Sequence, residues 1–310
     1  MYIFNRSLLA PAVFAAALFL GQSCEASSAR SDAGSSSAST ATASTSTAAS
    51  PFDKPGFVTG VKDGRLWVFR ADSDAGKAFK ANGATPARHV VRPGVGPAGM
   101  TVRAPDAEDI VAYMMARPGF EVVEADGRFW IYREGTKEHA AFKESGSHPA
   151  RHVVRPGAGP MGTTLRSPEL KYITEYLGTK PGFHVVEASE RLWVYKIDSP
   201  EYDEFMAKGS HPARHVVRPG AGPGGVTLRS PEMAYIEEYV VTQEGFITGI
   251  RDGRLWVFLA DSKEGAAFAA NGAVPARHVV RPGVGPLGMT VRSPDGPIID
   301  AYLRAAGLAN

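Results

Sequence analysis

The chain has 310 residues, with 34 Lys and Arg against 32 Asp and Glu and a formal net charge of +2. Its single cysteine excludes an intrachain disulfide and any metal site built on cysteines. No nucleic-acid partner is expected, and any surplus of positive charge has to be local.

The first residues, MYIFNRSLLAPAVFAAALFLGQSC, carry one positive charge at Arg6 ahead of an apolar stretch from Leu8 to Leu20. That stretch is short for a bilayer span and has the layout of a secretory signal. Residues 1–24 therefore read as an export segment, with an uncleaved N-terminal anchor as the alternative. The expected location is periplasmic, on the cell surface or secreted. LGQSC resembles the lipobox of bacterial lipoproteins, which implies lipidation at Cys24, the one route to a membrane expected here. Gly21 stands where that family has Leu, and a cut after Ala26 by ordinary signal peptidase is the competing reading. Residues 25–53 are dominated by Ser, Ala and Thr, offer little to bury, and read as a disordered linker.

From there the chain repeats. Trp67, Trp130, Trp193 and Trp256 are evenly spaced by 63 residues, as are Phe57, Phe120, Phe183 and Phe246. The fold class is therefore α+β, as four tandem repeats: 54–116, 117–179, 180–242 and 243–310. Each begins with two apolar runs around a tight turn. Asp63-Gly64, Asp126-Gly127 and Asp252-Gly253 signal type I′ hairpins, and Ser189-Glu190 is the weaker turn of repeat three. Ser73, Thr136, Ser199 and Ser262 predict helix N-caps, and Gly83, Gly146, Gly209 and Gly272 predict the stops. ARHVV reads as a strand, PGVGPAG as a loop and MTVR as a strand. A second helix follows Asp106, with Ile110, Tyr113 and Met114 as its inward stripe; Gly296 and Pro297 predict a late start for it in repeat four.

The order is thus ββαββα, with Phe57, Trp67, Phe69, Phe79 and Tyr113 as the core of repeat one. Sixty-three residues make a marginal domain alone, so the units should lean on one another. Repeats one and four share DGRLWVF and RPGVGP, whereas two and three share GSHPARH and RPGAGP. This favours an open row or a two-fold arrangement over a four-fold ring of equivalent units. Oligomeric state is left open.

The strongest functional signal is arginine. Arg65, Arg88, Arg92 and Arg103 recur as Arg in every repeat and never drift to Lys. A bare charge would tolerate Lys, whereas a planar fork that binds bidentately or stacks would not. Only Asp106 and its counterparts Glu169, Glu232 and Asp295 are acidic throughout. The candidate ligand-binding residues are Arg88, His89, Arg92 and Arg103; Arg151, His152, Arg155 and Arg166; Arg214, His215, Arg218 and Arg229; and Arg277, His278, Arg281 and Arg292. Against this stands a purely structural use, in which the forks tie loop carbonyls or cover Trp67.

Gly94, Gly96 and Gly99 spell G-x-G-x-x-G, but a strand follows them, so a dinucleotide fold is not expected. The glycines either leave N–H groups free for an anion or simply make a tight turn. His148 and His211, present only in the inner repeats, are loop histidines or weak metal ligands. No G-x-S-x-G serine or acid pair marks an enzyme, so no catalytic residue, metal or cofactor is assigned.

GRLWVFRADSDAGKAFKANG, residues 64–83, resembles the hairpin-to-helix core of YHS-type small domains, with their aromatic strand, short Phe-bearing helix and closing turn. The cysteines of the metal-binding members are absent, so the resemblance implies a small α+β module and no metal. The function expected is an exported, non-enzymatic binding protein for an anionic small molecule or surface polysaccharide. The alternatives are a periplasmic metal-handling protein using the repeat histidines and a structural surface scaffold.

Overall fold

A computed structural model describes residues 50–309. The export segment, Cys24 and the linker as far as residue 49 lie outside the described residues. Repeat one runs β1 (Phe57–Lys62), β2 (Arg65–Arg70), α1 (Asp74–Asn82), β3 (Val90–Arg92), a 3-10 turn (Pro97–Gly99), β4 (Thr101–Ala104) and α2 (Ala107–Met115). The other repeats follow the same order. Each builds its own four-stranded sheet, ordered β1-β2-β4-β3 in repeat one. Strand β4 lies parallel to β2, and the remaining pairs are antiparallel.

Local chemistry accounts for the element boundaries. Asp63 and Gly64 both take positive φ, as the hairpin turn demands. Ser189 (φ 55°) and Glu190 (φ 59°) make the same turn without glycine, each at a cost of about 1 kcal/mol. Ser73 Oγ accepts from Gly76 N at the start of α1, and Gly83 ends it in the left-handed region at φ 71°. The late start expected in repeat four does not occur. Its helix Gly296–Ala305 begins at the same point of the repeat as α2. Pro297 sits in its first turn, where a helix has no use for the missing N–H.

The sheet is covered on both faces. Leu66, Val68, Val102 and Ala104 pack with Ile110 and Tyr113 of α2. On the other face, Trp67 and Phe69 pack with Phe79 of α1. A Cβ at Gly60 would lie 2.5 Å from Phe79 Cζ, so glycine lets that ring settle on β1. The aromatic set expected as one core is therefore divided by the sheet, with Phe57 and Tyr113 on the α2 side.

Each repeat is completed by its predecessor. Met115, 1% exposed at the end of α2, packs into the core of repeat two with Phe120 and Tyr176. The expected inward stripe holds, with Met114 half-buried against the core of repeat one, and the next residue, Met115, serves the neighbour. Tyr176 Oη donates to Met115 O at 2.8 Å, and Tyr239 Oη to Gly178 O and Tyr302 Oη to Val241 O repeat the bond. In repeat one, Tyr113 Oη donates to Phe52 O, and Phe52 is 3% exposed in that core. Residues 50–53, read as linker from sequence, thus take the place of a preceding helix end.

The end repeats also meet. Lys54 Nζ lies 2.7 Å from Glu244 Oε1. Ala98 packs on the core of repeat four, and Ala260 on the core of repeat one. The row therefore closes on itself, and an open row is ruled out for residues 50–309. Helix Gly296–Ala305 packs on the 3-10 turn of repeat one, as helix Leu170–Gly178 does on that of repeat three. That contact recurs two repeats apart, in keeping with the pairing of outer with outer and inner with inner sequences.

Candidate functional site

Strand pairing assembles one polar face per repeat. Parallel register sets Trp67 beside Arg103, and antiparallel register sets Arg103 beside Val91. The row Trp67–Arg103–Val91 lies on the face that α1 covers only in part. Arg103 Cζ stands 5.4 Å from the Trp67 ring centroid, and Arg166, Arg229 and Arg292 stand 5.8, 5.7 and 5.5 Å from theirs. The His89 ring is 4.8 Å from Trp67, and His152, His215 and His278 are 4.7 to 4.9 Å from theirs. Arg88 is exposed, Arg92 follows at the open sheet edge, and Val91 is 41% exposed beside it.

The arginines are little used inside the fold. Of the sixteen fixed in sequence, only Arg281 makes a hydrogen bond or ion pair among the described residues, gripping Asp300 with both Nη atoms. Nε of Arg103, Arg166, Arg229 and Arg292 is buried without an acceptor in all four repeats, as is Nδ1 of His89, His215 and His278. A buried donor without a partner costs about 1–3 kcal/mol, so its fourfold recurrence calls for a cause. Stacking on tryptophan is the structural part of the arginine role. It falls to Arg103, because the parallel pairing is with β4, and not to the nearby Arg65.

The glycine loop is a closed turn. Gly96 N donates to Met100 O, Gly99 N to Gly96 O and Met100 N to Pro97 O. Those three donors are unavailable to a ligand, and the tight-turn reading accounts for the loop. Ala98 and Gly99 both take positive φ, as do their counterparts, Met161 among them. The larger cavities among the described residues lie between repeats, as in one of about 460 Å³ reached by segments of all four.

The four repeat histidines stay apart, each against its own tryptophan. No group of three or more His, Cys, Asp or Glu side chains is placed to share a metal ion among the described residues. The extra histidines of the inner repeats have a packing role that sequence reasoning missed. The His148 ring stacks on Trp130 at 4.4 Å and 3°, and Tyr132 Oη and His148 Nδ1 share a 2.8 Å hydrogen bond. His211, Trp193 and Tyr195 repeat this at 4.2 and 2.8 Å. The outer repeats carry Phe69 with Thr85 and Phe258 with Val274 at these places. Tyrosine occurs only where histidine can meet its hydroxyl, a covariation visible in sequence once the pairing is known.

Burial lowers the affinity of His148 and His211 for a proton, so the folded state binds it less tightly than the unfolded chain. Their contribution to stability is intact above the ordinary histidine range and falls as pH drops below it. His148→Thr alone should cost about 1–2 kcal/mol by urea unfolding, because it leaves the Tyr132 hydroxyl unmatched. Adding Tyr132→Phe, which reproduces repeat one, should recover about half. A coupling near zero in that cycle would show that the hydrogen bond does not link the pair.

No protein-family model, curated protein or solved structure matches this chain. Its function has to be argued from the side chains.

Proposed function

We propose that the chain is an exported, non-enzymatic binding protein whose Arg/His/Trp faces hold an anionic ligand. The ligand class is phosphate, or a sulfated or uronic surface polymer. The observation that carries this reading is the buried, acceptor-less Nε of Arg103, Arg166, Arg229 and Arg292, joined in repeats one, three and four by an unmatched Nδ1 of His89, His215 and His278. An oxyanion could accept from a guanidinium edge and from neighbouring donors at once. Arg88 and its three counterparts are exposed and add charge at the same sheet edge, as do the exposed Arg92 and Arg155, none of them with an internal hydrogen bond or ion pair among the described residues; Arg281, the Arg92 counterpart of repeat four, is taken up by Asp300. Four such faces on one chain would raise avidity for a polymer that engages several together.

The test is binding to dextran sulfate and polygalacturonate by titration at rising salt. Affinity should fall as salt screens the charges. Replacing Arg103, Arg166, Arg229 and Arg292 together by Lys keeps the charge and removes the fork. That variant should bind at least tenfold more weakly, about 1.4 kcal/mol. Salt-insensitive binding, or equal binding by the lysine variant, would overturn the reading.

A further inference from the structure

The cavity of about 460 Å³ lies where the opening segments of repeats one to three converge, with Glu244 contributed by repeat four. Its volume is that of a site for a small organic molecule. Much of its wall is apolar: Phe52, Phe183 and Val185 are at most 8% exposed, and Ile197 is 39% exposed at its rim.

Four cations reach the cavity, Lys54, Arg117, Arg133 and Lys180, with two carboxylates in its lining, Asp53 and Glu244, and a third, the buried Glu175, 3.7 Å from Arg133 Nε. All three carboxylates are engaged. Asp53 Oδ1 accepts from Thr59 N and Oγ1 at 2.8 and 2.9 Å. Glu244 faces Lys54 as an ion pair at 2.7 Å, off the direction of a hydrogen bond.

Lys180 has no acid partner among the described residues. Its Nζ donates to Tyr239 O at 2.9 Å and Val240 O at 3.3 Å, and an ammonium has a third N–H. Burial pulls both Lys54 and Lys180 down to about 8, the mark of ammonium groups short of solvation. A partly apolar chamber with surplus buried positive charge suits a guest that brings both an apolar body and a negative charge.

We infer that this cavity binds one small carboxylate with an apolar body, its acid group beside the Lys180 ammonium and its hydrocarbon against Phe52, Phe183 and Ile197. This site is separate from the Arg/His/Trp faces, which share none of these residues.

The experiment is calorimetric titration of the full chain with octanoate, and with octanol as the neutral control. One octanoate per chain should bind, with octanol at least tenfold weaker. Lys180→Met should weaken octanoate at least tenfold while leaving octanol unchanged. Ile197→Trp, a substitution at an exposed rim position that needs no refolding of the core, should block both. The Arg103, Arg166, Arg229 and Arg292 lysine variant should bind octanoate as the parent chain does, so failure here and failure of the polymer reading are told apart. No octanoate binding at millimolar concentration overturns the proposal. So does octanol binding as tightly as octanoate, or octanoate binding that Ile197→Trp leaves intact.

Discussion

Tyr239→Ala should destabilise the protein by about 4 kcal/mol, and Tyr239→Phe by about 1–2 kcal/mol, in urea unfolding at neutral pH. The ring is 1% exposed and meets Phe183 edge-on at 5.5 Å. Lys180 Nζ sits 4.8 Å over it, and Tyr239 Oη donates to Gly178 O at 2.8 Å. Alanine would therefore open a large cavity and strip a buried ammonium of its aromatic neighbour. Phenylalanine keeps the packing and leaves only the carbonyl at the end of the previous repeat's helix unmatched. Its cost should thus fall on the coupling between repeats two and three. Tyr302→Phe should cost the same, since it breaks the same bond to Val241 O. Tyr113→Phe would show whether Phe52 couples as strongly as a true helix end. A Tyr239→Phe change below 0.5 kcal/mol would remove the hydroxyl from the account of how repeats join.

The closure between repeats four and one should be a sensitive backbone contact. Gly245 takes φ 91°, and a Cβ there would lie 2.5 Å from Ala98 N and 2.8 Å from Pro97 C. Gly182 occupies the same turn in repeat three at φ 79°, with nothing within 4 Å. Gly182→Ala therefore measures the left-handed backbone cost alone, about 1 kcal/mol. Gly245→Ala adds a collision with backbone that cannot turn aside, so about 3 kcal/mol in total is expected. The difference between the two measures how firmly the end-to-end contact resists being pushed apart. Equal costs, read as equal shifts in urea midpoint, would mean that repeats one and four part freely.

The closure also explains a break in the repeat pattern. Pro55, Pro118 and Pro181 precede the turn glycine in three repeats, and Glu244 replaces proline in the fourth. The carboxylate is what meets Lys54 across the junction. In one sequence the change looks like drift. It acquires meaning only when the first and last repeats are seen side by side.

Much of the fold was legible because its signals are local. The turn Asp63-Gly64, the N-cap Ser73 and the stop Gly83 depend on φ, ψ and hydrogen bonds within a few residues, and each stands where the sequence puts it. The error at Pro297 was also local, since proline is as compatible with the first turn of a helix as with its delay. The candidate arginines could be named from their recurrence, because a fork that never becomes lysine is a chemical statement a repeat can make by itself.

What the sequence determined alone is therefore the period, the elements and the residue types that each repeat holds constant, since all three are written in short spacings. Tertiary structure decided the rest. It placed β4 between β2 and β3 and so set Arg103, not Arg65, over Trp67. It gave Met115 to the next repeat's core, brought the two ends together, and left guanidinium nitrogens buried with no acceptor. The physical reason is range: strand pairing, inter-repeat packing and the matching of donors with acceptors depend on residues tens to hundreds of positions apart, which no local spacing specifies.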